Sequence, residues 1–395
     1  MTASDLELLL RHTDNVVPEE DLARKLELNR PLRIKLGLDP TAPAVTLGWA
    51  VVLRKLRQFQ DLGHTAVLIV GDFTAQVGDP SERGAQRKRL TSEEVNGYAE
   101  NVLGQFGKIL DSEHLEIRRN SEWLAKLDMY GLLELTSSST VAQMLERSDF
   151  ANRYETGTPI SVMEFLYPLL QGYDSVAVEA DVELGGSDQL WNLMMGRVVQ
   201  ERYGQERQVA LTMPLLVGTD GAQKMSQSLG NYIGVEEDPA EMFGKTMSIP
   251  DSAMAEWFGL AADFDPARVD QLEASIESGD FHPNEAKRLL ARSIVDMYWG
   301  PEAGTAAEAD FDEVFRHGGV PEDVDQYTLP AGDPVNLPAL IREVFGLSGA
   351  EGRRLLTQGA VRLDGEPVNS SDVARDQLAG RTLKVGKRRF VNLIG

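Results

Sequence analysis

The chain of 395 residues contains no cysteine and only five histidines. Without thiols, neither a disulfide framework nor a thiolate metal site can form, and the histidines show no metal-ligand spacing. The sequence therefore predicts no protein-held metal. It also contains no apolar segment of the signal-peptide kind at its start and no long apolar span, which predicts a soluble cytoplasmic protein.

Positive charge is scarce, since 39 Lys and Arg residues face 62 Asp and Glu residues and the net charge is -23. Such an acidic chain would ordinarily not bind nucleic acid, which needs a basic surface. The scarcity is uneven. Residues 335–395 hold ten basic and six acidic residues, a net charge of +4, which leaves -27 for the rest of the chain. The last sixty residues are thus predicted to lie in a different electrostatic environment from the rest of the chain.

Hydrophobic patterns near the start predict a βαβ unit. Residues 31–39 alternate as a strand, residues 47–62 follow a helical period, and residues 65–70 are fully apolar, as in a buried strand. Parallel strands joined in this way imply a doubly wound α/β sheet that is covered by helices. Ligands of such sheets sit beyond the carboxyl ends of the strands, where the loops 39–46 and 71–81 emerge.

The later patterns predict further elements and a boundary. They are a helix over 160–173, a helix capped by Ser187 and ending near residue 203, a strand over 209–216, a mainly helical region over 238–315 and a Gly/Pro-rich acidic linker over 318–334.

One loop carries the most specific pattern. Residues 221–231 (GAQKMSQSLGN) place Lys224 among glycines and hydroxyls, a composition suited to a mobile loop over a polyphosphate. Taken alone, such a stretch is also common on protein surfaces. Four more segments lie in matching order, 37–43 (GLDPTAP), 78–81 (GDPS), 167–174 (YPLLQGYD) and 185–189 (GGSDQ). Together they closely resemble the bacterial tyrosyl-tRNA synthetases, a family of class I aminoacyl-tRNA synthetases, along nearly the whole chain.

The resemblance implies a three-part architecture. A Rossmann-like, doubly wound parallel-sheet catalytic domain with a connective insertion is expected over 1–232. An α-helical anticodon-side domain would follow over 233–320, then a linker over 321–334. A small α+β RNA-binding domain of ribosomal-protein type is expected over 335–395.

The resemblance also implies a tyrosine pocket formed by Thr74, Asp79, Tyr167, Gln171, Asp174 and Gln189. Asp174 and Gln171 would lie near the phenol and the amino end of the ligand, while Tyr167 would bind the ammonium with Thr74 and Asp79. Carboxylates and amides suit this ligand because buried polar groups need partners. Taken singly, four of these residues have another interpretation. Asp79 and Asp174 could be helix caps, Tyr167 a core aromatic residue and Gln171 a solvated helix residue.

A site for ATP with Mg²⁺ is implied as well, with two altered signature motifs. The family's HIGH-type motif reads TLGW over 46–49, so that Thr46 and Trp49 replace both histidines, and Gln227 replaces the second lysine of its KMSKS-type loop. Trp49 could stack on adenine or pack into its helix. The expected ATP-binding residues are Gly37, Asp39, Gly48, Trp49, Gly186, Asp188, Lys224 and Gln227, and the expected catalytic residues are Thr41, Thr46, Lys224 and Gln227.

These substitutions bear on the predicted activity. Donors of this kind act mainly in the transition state, and the loss of one typically costs about 10²- to 10³-fold in rate. Reduced or lost activity is therefore expected.

The basic tail predicts two short helices, then a strand and an Asp-Gly turn. This part resembles an RNA-binding domain shared with a small-subunit ribosomal protein, with phosphate contacts expected from Arg353, Arg354, Lys384, Lys387, Arg388 and Arg389. Each of these could equally be a solvated surface residue.

Three functions remain open from the sequence. The first is a homodimeric tyrosine–tRNA ligase that acts on L-tyrosine, ATP and tRNA-Tyr. The second is a catalytically impaired paralogue that binds tyrosine or tRNA as a regulator. The third is an amino-acid activator with a different acceptor.

Overall fold

The computed structural model describes residues 3–40, 42–78, 91–316, 324–368, 370–386 and 389–395. The chain divides into two compact units, Met1–Gly304 and Thr305–Gly395, and each is described by itself. Across the residues described, no helix is both long enough and apolar enough to cross a membrane.

A six-stranded sheet forms the centre of the first unit. Its strands are β1 (Asn15–Val17), β2 (Arg33–Leu38), β3 (Thr65–Val70), β4 (Leu115–Arg119), β5 (Val182–Gly186) and β6 (Val209–Met213). They lie in the order β1-β6-β5-β2-β3-β4, and every neighbouring pair is parallel except β1 with β6. The predicted doubly wound parallel sheet is confirmed, and its strand order reverses between β2 and β5.

Helices cover this sheet and extend the unit beyond it. They are α1 (Ala3–Leu10), α2 (Glu19–Leu26), α3 (Leu47–Asp61), α4 (Thr74–Val77), α5 (Ser92–Phe106), α6 (Ser121–Leu124), α7 (Met129–Thr136), α8 (Val141–Met144), α9 (Ser148–Glu155), α10 (Val162–Ala177), α11 (Leu190–Arg202), α12 (Pro239–Met247), α13 (Met254–Leu260), α14 (Pro266–Glu277) and α15 (Pro283–Trp299); helix α16 (Ala303–Arg316) crosses the boundary between the units.

The predicted βαβ unit forms where its sequence signals lie. Thr46 caps α3 by accepting a hydrogen bond from the Trp49 backbone N–H at 3.3 Å. The helix ends before Gly63, whose φ of 85° is a left-handed conformation that glycine adopts without steric cost. Strand β3 is buried over five consecutive residues, as expected for a strand covered on both faces.

Two predicted elements differ from the structure. Ser187 does not cap the next helix, because a 3₁₀ turn over Ser187–Gln189 intervenes and α11 begins at Leu190. The strand predicted over 209–216 ends at Met213. The residue that follows is Pro214, which has no N–H to donate to a neighbouring strand.

The helices from α12 to α15, predicted to start a separate domain at residue 233, lie in the first unit. Arg54 of α3 donates a hydrogen bond to the Tyr298 hydroxyl of α15 at 2.6 Å. The fully buried Trp257 and Phe258 of α13 add to the core. This apolar packing and the Arg54 contact join the helical region to the sheet.

The second unit is a small α+β fold. Its elements are β7 (Gln326–Thr328), β8 (Val335–Asn336), α17 (Leu337–Phe345), α18 (Gly349–Thr357), β9 (Val361–Leu363), β10 (Glu366–Pro367), β11 (Asp372–Val373), α19 (Arg375–Leu378), β12 (Thr382–Val385) and β13 (Arg389–Ile394). The main sheet has the order β10-β9-β12-β13-β7, and β8 pairs with β11.

Strand β7 lies inside the segment 321–334 that was predicted as a linker. It pairs in parallel with β13, and Tyr327 packs against the apolar core of this unit. That contact explains why an acidic, Gly/Pro-rich stretch still contains a strand. The predicted Asp-Gly turn also forms, with positive φ at Asp364 and Gly365.

Candidate functional site

The site lies where the strand order of the first unit reverses. Strands β2 and β5 run parallel side by side and their connections leave in opposite directions, which opens a crevice at their carboxyl ends. Asp39 follows β2 directly, and Asp188 lies in the turn after β5. Because β3 is also parallel to β2, the two loops predicted to hold ligands, which begin after β2 and β3, leave the same edge of the sheet.

Asp39 joins two of the expected site residues. Its carboxylate accepts a hydrogen bond from the Thr74 hydroxyl at 2.7 Å and one from the Tyr167 hydroxyl at 3.0 Å. Gly71 makes this approach possible, because a Cβ there would lie 1.9 Å from the Asp39 Oδ1. Asp39, which was expected to contact ATP, thus contacts Thr74 and Tyr167, which were both expected to contact tyrosine.

Asp174 is a buried carboxylate in the last turn of α10, and its side chain does not cap the helix. Its side chain accepts hydrogen bonds from the Trp123 indole at 2.7 Å and from the Asn120 amide at 3.3 Å. The same Asn120 amide donates to Thr74 at 2.9 Å. Burial raises the pKa of Asp174 from its usual 3.8 to about 7, although Lys35 and the two donors lower it.

Sequence reasoning missed Asn120 and Trp123 as site residues. Both follow β4, the edge strand of the parallel set. Their position in the sequence could have identified them, because residues that directly follow a parallel strand lie at the edge of the sheet where ligands bind.

Below the pocket, Lys35 and Glu183 form a buried ion pair between β2 and β5. The Lys35 Nζ lies 2.8 Å from the Glu183 carboxylate, and both side chains are 1% exposed or less. The Lys35 ammonium also donates to the Gln171 carbonyl at 2.9 Å, and the Gln171 side-chain amide donates to Glu183 at 3.3 Å. Gln171 is therefore tied to the sheet and is not a solvated helix residue.

Gln189 lies at the end of the turn that follows β5. Its side-chain oxygen accepts a hydrogen bond from Asn192 at 2.8 Å, and Asn192 accepts one from Arg147 at 3.0 Å. These contacts fix the amide at the rim of the crevice.

On the nucleotide side, Lys224 pairs with Asp188. The distance from the ammonium to the carboxylate is 2.8 Å, and half of the lysine side chain is exposed. Gly186 lies below this pair, where a Cβ would come within 2.9 Å of Asp188. Gly37 has open space where a Cβ would be. These positions are compatible with the expected approach of a nucleotide.

The altered signature residues make contacts within the chain. Thr46 is 3% exposed, and its hydroxyl accepts the capping hydrogen bond of α3, so it has a structural role that the sequence reading did not include. The Gly48 N–H points to the Met225 sulfur at 3.3 Å. Trp49 is half-buried on the first turn of α3. Two expected site residues, Thr41 and Asp79, lie outside the described residues.

Several of the expected RNA-binding residues lie on the surface of the second unit. Arg353 and Arg354 are exposed on α18, and Arg389 is exposed on β13. Lys384 is half-buried and stacks over the Phe390 ring at 4.9 Å. Lys387 and Arg388 lie outside the described residues. Among the residues that are described, no group of three histidine, aspartate or glutamate side chains is arranged to hold a metal ion.

Comparisons with known proteins agree with this architecture. The family model for class I tRNA synthetases (W and Y) matches residues 27–316. The chain is 49% identical over 396 residues to the tyrosine–tRNA ligase of Moorella thermoacetica, which covers 99% of this chain and 96% of that one. It is 47% identical over 394 residues to the tyrosine–tRNA ligase of Desulfotalea psychrophila, covering 98% and 97%.

Solved structures share the fold at lower identity. The C-terminally truncated mitochondrial tyrosyl-tRNA synthetase of Aspergillus nidulans has a TM-score of 0.64 and 21% identity, and the match covers 79% of this chain and 93% of that one. The Archaeoglobus fulgidus tyrosyl-tRNA synthetase, solved with L-tyrosine, has a TM-score of 0.63 and 24% identity, over 77% and 98%.

The reduced activity predicted from the altered motifs is not borne out by the sequence relatives, which are named ligases. The family model spans most of the chain, and identities near one half extend over 98–99% of it. The chain therefore belongs to the tyrosyl-tRNA synthetases, within the tryptophan and tyrosine group of class I aminoacyl-tRNA synthetases.

Proposed function

We propose that this protein is a tyrosine–tRNA ligase, which activates L-tyrosine with ATP and transfers the tyrosyl group to tRNA-Tyr. In the first step a carboxylate oxygen of tyrosine attacks the α-phosphorus of ATP, and pyrophosphate leaves with Mg²⁺. In the second step a ribose hydroxyl of the tRNA attacks the carbonyl carbon, and AMP leaves. These substrates are found in the cytoplasm, where we expect the protein to act.

The buried Asp174 carboxylate is the observation that carries this proposal. A phenol hydroxyl is a hydrogen-bond donor, and the buried Asp174 carboxylate already accepts hydrogen bonds from Trp123 and Asn120. Asn120 also donates to Thr74, which in turn donates to Asp39. Phenylalanine would leave this acceptor without its ligand partner, which costs about 1–3 kcal/mol for a buried group. The pocket therefore favours tyrosine over phenylalanine.

The remaining residues have complementary roles. The Tyr167 hydroxyl donates to Asp39, so its oxygen can accept from the ammonium of tyrosine. Thr74, Asp79, Gln171 and Gln189 are further proposed contacts of tyrosine. Asp39, Asp188 and the glycines near them contact the nucleoside, and the side chain of Lys224 turns from Asp188 to the phosphates. The exposed arginines of the second unit bind the tRNA backbone, because phosphate binding depends on such cations.

ATP–pyrophosphate exchange tests the activation step. We expect exchange that depends on tyrosine, with kcat/KM at least about tenfold lower for phenylalanine, followed by charging of tRNA-Tyr. If no amino acid supports exchange, the ligase proposal is wrong and a binding paralogue is favoured. Exchange without charging would instead favour an activator with another acceptor.

We propose further that the protein is a homodimer. Six apolar side chains in the region from α7 to the start of α10 are 59–82% exposed: Met129, Tyr130, Leu133, Val141, Tyr154 and Val162. Apolar surface concentrated in this way marks an interaction site on a protein, and a two-fold dimer would bury it against the same residues of a second copy.

Replacing Tyr130 with glutamate tests the dimer. The dimer dissociation constant should rise at least about tenfold, because an unpaired carboxylate would be buried at the interface. Sedimentation velocity over a concentration series measures this constant. The matched control is Leu28→Glu, two residues after α2, an exposed apolar position elsewhere on the unit, which should leave the dissociation constant unchanged. A wild-type protein that sediments as a monomer at micromolar concentration would contradict the proposal.

A further inference from the structure

Two glutamine side chains hold the segment that connects β2 to α3. On one edge, Gln105 of α5 accepts from the Val45 N–H at 2.7 Å and donates to the Pro43 carbonyl at 3.0 Å. On the other edge, Gln227 donates to the Ala44 carbonyl at 2.7 Å and accepts from the Ala44 N–H at 3.3 Å. Residues 43–45 are therefore bonded on both edges.

This alternation is the pattern of a central β-strand. Successive residues of an extended chain direct their backbone groups to opposite edges, so residues 43 and 45 face one way and residue 44 faces the other. A glutamine amide carries the same donor and acceptor as a peptide group, so each side chain binds this segment as a neighbouring strand would. The Val45 carbonyl also accepts a backbone hydrogen bond from the Val235 N–H at 2.9 Å.

The same loop makes two more contacts at this end of the sheet. Lys224 pairs with Asp188 after β5, and the Met225 sulfur accepts from the Gly48 N–H. The backbone of the loop is bonded as well, through the Met225 N–H and the Leu216 carbonyl at 2.9 Å. Gln227 is the last of three side-chain contacts that follow one another along the loop and reach the turn after β5, α3 and the segment before α3. Of the three, it alone reaches the segment before α3, and it uses both ends of its amide to do so.

We propose that Gln227 is a positioning residue, whose amide fixes the Lys224 loop to residues 43–45 and so places the Lys224 ammonium. The inference rests on the proposed ligase function and gives Gln227 a role different from a direct contact with phosphate. A neutral amide supplies no charge to a polyphosphate, whereas a two-point contact with Ala44 fixes distance and direction.

Substitutions at Gln227 separate positioning from charge. Gln227→Ala should raise the KM for ATP about tenfold, because two hydrogen bonds are lost, and should change the KM for tyrosine less than twofold. Gln227→Lys should also be slower than the wild type in tyrosine-dependent exchange, because an ammonium donates to the Ala44 carbonyl but cannot accept from the Ala44 N–H. If Gln227→Lys exceeds the wild-type rate, a cation is what this position needs and the inference is overturned.

A second measurement does not depend on catalysis. Trypsin cleaves after lysine, so the rate at which a fragment ending at Lys224 appears, followed by mass spectrometry, reports how firmly the loop is attached. Gln227→Ala should raise this rate about tenfold. Gln223→Ala, a matched change at an exposed glutamine of the same loop, should leave it at the wild-type value.

The two readouts distinguish the inference from the function on which it rests. Equal cleavage of Gln227→Ala and the wild type would overturn the positioning role, whatever the exchange assay shows. A wild type without exchange, combined with faster cleavage of Gln227→Ala, would instead reject the ligase proposal and retain the attachment of the loop.

Discussion

Asp174→Asn should make the first unit more stable than the wild type at pH 8 and no more stable at pH 4. Folding raises the pKa of Asp174 from 3.8 to about 7, so the folded state holds a proton that the unfolded state has already released. The free energy of unfolding of the wild type therefore falls as the pH rises through this window, by as much as about 4 kcal/mol at about 1.4 kcal/mol per pKa unit.

Asparagine removes this dependence because its amide does not titrate. It also replaces one carboxylate oxygen with an NH₂ group, which cannot accept the hydrogen bond that Asn120 donates to Asp174 in the wild type. The loss of this hydrogen bond costs about 1 kcal/mol. We therefore expect the variant to gain up to about 3 kcal/mol at pH 8, and we expect the two stability curves to cross between pH 4 and pH 7.

Urea unfolding followed by tryptophan fluorescence measures this effect. The five tryptophans of the chain are at positions 49, 123, 191, 257 and 299, so the signal reports on the first unit alone. Asp270→Asn, an exposed change on α14, is the control and should follow the wild type at every pH. A difference between Asp174→Asn and the wild type that stays constant from pH 4 to pH 8 would rule out the raised pKa.

Lys224→Ala should lower kcat for tyrosine-dependent exchange about 10²- to 10³-fold, the usual effect of removing one transition-state donor. Negative charge builds up on the phosphates as pyrophosphate leaves. Lys224 is the basic residue of the loop 221–231, and its ammonium lies 2.8 Å from the Asp188 carboxylate. The KM for tyrosine should change less than threefold, because the proposed tyrosine pocket lies around Asp174 and Tyr167, whereas Lys224 pairs with Asp188.

Two variants sharpen this test. Lys224→Arg keeps the charge and should retain more activity than Lys224→Ala. Lys287→Ala breaks another lysine–aspartate pair, with Asp251 at 2.6 Å, and should leave kcat near the wild-type value. Lys224 has no catalytic role if Lys224→Ala keeps more than a tenth of the wild-type kcat.

The sequence predicts the centre of the fold well because local signals decide it. Strand β3 is a continuous apolar run, and α3 has both a capping threonine and a glycine at its end. Such signals act over a few residues and can be read without tertiary information. Strand β7 shows the limit, since only its partner β13, more than sixty residues later, makes it a strand.

The site is predicted less completely because its contacts join distant parts of the chain. The residue types of the pocket could be named from motifs, but Trp123 and Asn120 contact Asp174 from about fifty residues away. Gln227 is the clearest case. The resemblance to the family's loop implies that a lysine is missing, whereas only the structure shows the amide bonded to Ala44, 183 positions earlier.

The buried Lys35–Glu183 pair constrains how the specificity of this pocket can be redesigned. Changing either residue alone would leave one charge without its partner in the interior, at a cost of about 3–5 kcal/mol. Gln171 would lose a hydrogen-bond partner at the same time. In a library that varies one of these positions at a time, most variants would fail to fold. A search for a new amino-acid preference should therefore vary Lys35 and Glu183 together.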